Sequence, residues 1–150
     1  FHKPSESLDW SQGAYDYSGK LVQLYPFGYG LSYSKFEYKD IKIEKDTLNS
    51  NDTLNLFLTI KNTSDIDGKE VVQVYTSDSH ASISPDNKRL RAFRKIFIPL
   101  GDSKECNFRI PVSDLSFVNL ENKYVVESGE FTIHVGGNSK DLTSLKFFVR

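Results

Sequence analysis

Methionine is absent from these 150 residues, and cysteine and tryptophan occur once each. With Cys106 alone, no disulfide can form within the chain. The thiol lies in Cys106-Asn107-Phe108-Arg109-Ile110, in phase with the apolar residues, and reads as a small buried hydrophobe rather than a reactive group. No apolar run approaches the ~18 residues a membrane span needs, and the first residues do not read as a signal peptide. A strong charge of either sign is also missing. Nineteen Lys and Arg stand against 20 Asp and Glu, which excludes a polybasic nucleic-acid surface and an acidic tail. A chain without methionine that begins at Phe1 is expected to be a processed product or a piece of a longer polypeptide, whose chemistry then lies upstream.

Motifs of catalysis are equally scarce. His2, His80 and His134 fall in an arm, a loop and a strand, and neither HExxH nor CxxC spacing occurs, so no metal site is expected. No GxSxG or P-loop is present. Gly28-Tyr29-Gly30 falls short of a GxGxxG fingerprint and no helical pattern follows it, so no cofactor is expected either. The carboxylates Asp65, Asp67, Asp102 and Asp114 sit in turns, where turn chemistry explains them. The basic run at residues 88–95 holds Leu90, Ala92 and Phe93. It reads as a strand with a charged outer edge that discourages edge pairing, not as a nucleic-acid contact. Asn51-Asp52-Thr53 and Asn62-Thr63-Ser64 match the glycosylation pattern, but both asparagines are expected in turns with structural roles.

What the chain does have is rings: 11 Phe and 8 Tyr. The densest cluster is Leu24-Tyr25-Pro26-Phe27-Gly28-Tyr29-Gly30-Leu31-Ser32-Tyr33, where Pro26, Gly28 and Gly30 prevent a regular helix or a central strand. So many adjacent rings are expected to pack against something. Before them, residues 1–23 are polar and irregular and read as an extended arm anchored by Trp10, Tyr15 and Tyr17.

From Ser34 onward the pattern is alternation, the mark of half-buried strands. Phe36 and Tyr38 share one parity and Ile41 and Ile43 the other, so a bulge is expected near Lys39-Asp40. Leu54, Leu56, Leu58 and Ile60 alternate cleanly; Val71, Val72 and Val74 follow in a β-branched run; Cys106, Phe108, Ile110 and Val112 alternate again. Residues 77–88 read as a polar loop, 114–122 as a longer connection, and Tyr124-Val125-Val126-Glu127 as a short β-prone piece. Phe131, Ile133 and Val135, then Leu145, Phe147 and Val149, complete the set, with His134 facing outward. Most rings outside the cluster at 24–33 read as inward. Seven or eight short strands at roughly ten-residue spacing predict an all-β, antiparallel two-sheet sandwich. The single cysteine excludes the disulfide-bridged immunoglobulin domain but not its fibronectin type III-like cousin.

These segments resemble a known pattern. Residues 24–33 with Phe36 are similar to the "YPFGYGLSYT.F" signature at the entry to the C-terminal fibronectin type III-like domain of glycoside hydrolase family 3 enzymes. In the same order, residues 59–64 and 67–75 resemble "V.NTG...G.EVVQLY", residues 88–95 "K.L.GF.K", and residues 125–131 with Val135-Gly136 "VVEPGEF...VG". His2-Lys3-Pro4-Ser5 resembles the "NHKPSG" that follows the preceding α/β domain. Ser64, Ala92 and Ser128 depart from the usual Gly, Gly and Pro, and Val118-Asn119 from a common Tyr-Asp pair; these are adjustments of turns and packing.

The resemblance implies an immunoglobulin-like β-sandwich at residues 34–150, preceded by an interdomain arm and aromatic entry loop at 1–33. It implies a non-catalytic accessory role in a retaining β-glycosidase, of β-glucosidase or β-xylosidase type. The expected partners are an upstream barrel and an α/β sandwich domain, contacted through Trp10, Tyr25, Pro26, Phe27, Gly28, Tyr29, Gly30 and Tyr33; the exposed arm also offers a route to self-association. Secretion or a periplasmic location is the expected setting. Leu8-Asp9-Trp10 echoes the family's nucleophile motif but stands after the second domain, so no catalytic residue is carried over. The alternative is an independent carbohydrate- or protein-binding module, which would want a flat row of exposed rings on a strand face and has no need of the arm.

Overall fold

The computed structural model describes residues 25–78 and 88–150, together with the backbone of two short strands further upstream. In chain order the strands are β1 (Gly13–Tyr15), β2 (Leu21–Gln23), β3 (Phe36–Ile43), β4 (Thr47–Leu48), β5 (Thr53–Asn62) and β6 (Gly68–Asp78). They continue as β7 (Arg89–Ile98), β8 (Ser103–Pro111), β9 (Phe117–Val118), β10 (Tyr124–Val125), β11 (Gly129–Gly136) and β12 (Leu142–Val149). A 3-10 turn at Val112–Leu115 is the only helical element among the described residues.

Two sheets build the body, one in the order β3-β5-β8 and the other β4-β12-β11-β6-β7. Seven of those eight strands form the two-sheet sandwich that the alternation predicts, and β4 is additional to them. Leu54, Leu56, Leu58 and Ile60 of β5, with Cys106, Phe108 and Ile110 of β8, face Val72 and Val74 of β6, Phe131, Ile133 and Val135 of β11, and Phe147 and Val149 of β12. All are buried, and the Phe131 and Phe147 rings stack at 5.6 Å between centroids. Each such side chain contributes roughly 1.5–3 kcal/mol by leaving water.

The bulge falls where the parity change requires it. The β3–β5 register shifts between Lys39 and Lys42, and Asp40 takes φ 50°. After that bulge the chain leaves the first sheet, and β4 pairs in parallel with β12 at the edge of the second. β6 runs two residues past its expected end, through Asp78. Tyr124 and Val125 do not join the sandwich. They pair with Phe117 and Val118 in a separate hairpin, whose turn is fixed by Asn119, the acceptor for the backbone N–H of Glu121 and of Lys123. In the upstream segment, β1 and β2 pair antiparallel. Regular pairing thus occurs where the sequence suggested only irregular chain, because Leu21-Val22-Gln23 has a short β-prone composition.

Asn62 departs from expectation. It is the last residue of β5 and fully buried, not a turn residue. Its Nδ2 donates to the carbonyls of Ile66 (2.8 Å) and Ile98 (3.0 Å), and its Oδ1 accepts from the N–H and hydroxyl of Ser64. The amide ties the β5–β6 turn to the end of β7, which leaves it no room for a glycan. Asn51, by contrast, is exposed in the turn at 49–52, where the Asn49 N–H donates to Asp52 Oδ2 and holds that carboxyl below its usual range.

Strand directions define two ends. The turns at 63–67 and 99–102 lie at one, linked by Asn62 N–H to the Asp102 carbonyl. The turn at 49–52, the 3-10 turn and the β9–β10 hairpin lie at the other, linked by Val112 N–H to the Asp52 carbonyl.

Candidate functional site

The aromatic loop at residues 25–33 lies toward the first end. Its local shape follows from composition. Tyr29 N–H donates to the Pro26 carbonyl (3.0 Å), and Gly28, third residue of that turn, has φ 76°. This is the dihedral a type II turn asks of its third residue, and glycine adopts it without steric cost.

The loop is then fastened to the sandwich at two places. Near its start, the Phe27 carbonyl accepts from Ser139 N–H at 2.9 Å, and the Gly28 carbonyl accepts from Gln73 Nε2 at 3.3 Å. The same Nε2 donates to the Gly137 carbonyl (2.5 Å), and Gln73 Oε1 accepts from the Tyr75 hydroxyl. Gln73 is only 4% exposed, and every one of its polar atoms is engaged. A Cβ added at Gly28 would collide with the Gln73 amide. Near the end of the loop, Ser34 Oγ donates to the Asp67 carbonyl (3.0 Å), in a space that exists because Gly68 lacks a Cβ. The Asp67 carboxylate in turn accepts from Leu100 N–H.

Between these fastenings the side chains point away. Leu31 is 91% exposed and Tyr33 94%, while Tyr25, Phe27 and Tyr29 are all exposed; the Tyr25 and Tyr29 rings meet at 5.2 Å. The backbone is therefore held and the apolar faces are offered. Gly30 is unlike Gly28, since a Cβ there would meet nothing within 4 Å and its φ is not in the left-handed region. No charged residue occurs from Leu24 to Ser34. Trp10, the remaining expected contact residue, lies outside the described residues, as do Asp9 and Tyr17.

Two participants escaped the sequence reading. Gln73 sits in the Val71-Val72-Gln73-Val74-Tyr75 run and carried no expectation of its own; the run of five mostly apolar residues was the available signal for burial on both faces. Phe93 looked like an inward ring in a charged strand. The β6–β7 register pairs Phe93 with Gln73, and the ring is 69% exposed. β7 slips by one residue between Ala92 and Leu90, the β-bulge at which Arg91 turns to donate to Thr76 Oγ1 (2.8 Å). Arg94 lies across the open edge between the sheets, 5.3 Å from the Phe108 ring and near Cys106 Sγ. β7 is indeed an edge strand, so its basic composition has the expected place.

Three further titratable groups among the described residues, Cys106, Tyr38 and His134, sit in structural surroundings. Burial pushes the Cys106 thiol up against the opposing pull of Arg94. The Tyr38 hydroxyl, half-buried and donating to Glu70 Oε1 at 2.6 Å, has its pKa raised strongly, by loss of water first and by Glu70 second; this bond crosses from one sheet to the other. His134 is half-buried on the outer face between Ser77 Oγ (2.9 Å from Nε2) and Ser144 Oγ (2.7 Å from Nδ1). Its pKa is lowered by burial and, less, by Lys88. Among the described residues, no group of three or more His, Cys, Asp or Glu side chains is placed to hold a metal.

The sheet order, core and fastened entry loop define a fibronectin type III-like sandwich, and residues 70–139 match the family model of the fibronectin type III-like domain. The relatives narrow this further. The chain is 39% identical over 137 residues to thermostable β-glucosidase B of Acetivibrio thermocellus, covering 91% of this chain and 18% of that protein. It is 37% identical over 141 residues to a β-xylosidase of Formosa agariphila, covering 93% and 19%. In structure it superposes on a β-glucosidase from Listeria innocua in complex with gluconolactone with a TM-score of 0.81 at 42% identity, covering 85% of this chain and 18% of that one. A periplasmic β-glucosidase of Salmonella typhimurium is a further relative, 36% identical over 116 residues, 77% of this chain and 15% of that protein. The chain is thus a fibronectin type III-like domain of the kind family 3 glycoside hydrolases carry, and it spans less than a fifth of the length of these relatives.

Proposed function

We propose that the chain is a non-catalytic bracing domain of a retaining β-glycosidase of β-glucosidase or β-xylosidase type. The loop at residues 25–33 is the surface on which it holds the upstream barrel and α/β domains. The supporting observation is the opposition between the loop's fastened backbone at Phe27, Gly28 and Ser34 and its outward Phe27, Tyr29, Leu31 and Tyr33 side chains. Large apolar groups held in fixed positions are what a protein–protein interface core requires. The division into an arm with entry loop (1–33) and a sandwich (34–150) follows from the same reading, with Trp10, Tyr25, Pro26 and Gly30 on the contact side. A secreted or periplasmic setting is in keeping with the periplasmic relative.

The test compares the 150-residue chain with the full-length polypeptide on aryl β-glucosides and β-xylosides. The chain alone gives no turnover, and Tyr29→Ser with Tyr33→Ser in the full-length protein lowers both its melting temperature and its activity. Turnover by the chain alone, abolished by Asp9→Asn, would overturn the reading.

A further inference from the structure

The exposed rings do not stop at the loop. On the outer face of the five-stranded sheet, β7 presents Phe93, Lys95 and Phe97, and β6 presents Lys69 and Val71 beside them, through the pairs Gln73–Phe93, Val71–Lys95 and Lys69–Phe97. Phe93 and Phe97 are exposed, as are Lys69 and Lys95. The Gln73 that neighbours Phe93 is the residue that fastens Gly28, so this face is continuous with the loop's anchorage. A third cation, Lys104 of β8, lies 6.0 Å from the Phe97 ring. No carboxylate shares the face on β6 or β7. Glu70 is turned to Tyr38, and among the described residues neither Lys69 nor Lys95 makes an ion pair. The edge strand thus sets Lys95 between Phe93 and Phe97, with Lys69 beside Phe97 on β6.

Resting on the reading of the loop as a docking surface, we infer that this face of β7 and β6 is its second half, and that the occupant is an apolar surface bearing carboxylates on the preceding part of the same polypeptide. Continuity with Gln73 supports a shared partner. The pattern of charge supports its chemistry: an acidic group set between apolar side chains would meet Lys95 while its neighbours cover Phe93 and Phe97. Two exposed phenylalanines on a strand edge invite unwanted pairing when uncovered, and a partner closing over them removes that hazard.

Hydroxyl-radical footprinting tests this directly, because it reads side-chain exposure ring by ring. In the full-length protein, oxidation of Phe93 and Phe97 falls by about fivefold or more relative to the 150-residue chain, as for rings excluded from water in an interface core. Lys95→Glu returns Phe93 toward the reactivity of the chain alone, and Lys95→Met does so less. If Tyr29 and Tyr33 are protected while Phe93 and Phe97 are not, the loop docks and the second surface is refuted. If all four react equally in both proteins, the docking reading itself fails. Protection that appears only as concentration rises, in either protein, identifies a second copy as the occupant and overturns the inference.

Discussion

The carbonyl oxygen of Gly28 accepts a hydrogen bond from Gln73 Nε2 at 3.3 Å, and the same amide occupies the space any side chain at residue 28 would need. One contact exists because the other is impossible. Two nearby glycines should therefore behave differently. Gly28→Ala forces a left-handed dihedral on an L-residue and displaces Gln73, costing about 1–3 kcal/mol; Gly30→Ala, with open space around it, changes stability by no more than about 0.5 kcal/mol. Urea unfolding of the two variants checks the contrast.

Gln73→Leu removes two donated hydrogen bonds and leaves the Tyr75 hydroxyl without its acceptor. The expected loss is about 1–3 kcal/mol. The sandwich core does not include this side chain, so far-ultraviolet circular dichroism stays the same while chymotrypsin cuts faster after Phe27 and Tyr29. Equal cutting of variant and parent would show that the loop holds its shape without Gln73.

Asn62→Ala strips the carbonyls of Ile66 and Ile98 of their donor inside the protein. About 2–3 kcal/mol of stability is lost, with the denaturant slope unchanged. Asn62→Asp keeps the Ser64 contact but sets a carboxylate against two carbonyls, so it is at least as damaging. Chemical denaturation of both distinguishes a hydrogen-bond clip from simple volume.

His134 gives the pH dependence a definite sign. Its pKa is depressed in the folded state, so between the folded and unfolded values the unfolded chain binds more protons. Stability is full above the ordinary histidine range, near 6.5, and declines as pH falls through the folded value. The groups facing the ring are Ser77, Ser144 and Lys88. His134→Gln flattens that part of the profile, which thermal melts between pH 7.5 and 5 would reveal, with Asp52 contributing a separate decline at lower pH.

The sandwich was readable because burial on one face of a strand imposes a period of two. Leu54, Leu56, Leu58 and Ile60 could not alternate so regularly for another reason, and the parity change at Lys39-Asp40 demanded its bulge. What escaped was set by contacts distant in sequence. Asn62 looked like a turn residue because asparagine favours turns, yet Ile98 on another strand decides its burial. Gln73 is buried because a loop from before the sandwich folds over it. Phe93 points outward with Lys95 and Phe97 because Ile96 and Ile98 take the inner face of β7, and the bulge at Arg91 then turns Leu90 to the outer face as well. The aromatic loop was conspicuous by composition, but its fastening by Gln73 and Ser139 was not.

Ser139 carries a consequence in time. The loop at residues 25–33 leaves the ribosome before the sandwich strands do, yet the N–H that donates to its Phe27 carbonyl belongs to the turn between β11 and β12. Until residue 139 has emerged and β11 has paired with β6, Phe27 and Gly28 lack half their fastenings. The aromatic loop is therefore fully fastened only after β11 has been made, although it precedes the sandwich in sequence. A ribosome that stops short of residue 139 releases a chain whose rings are present but not yet held in place.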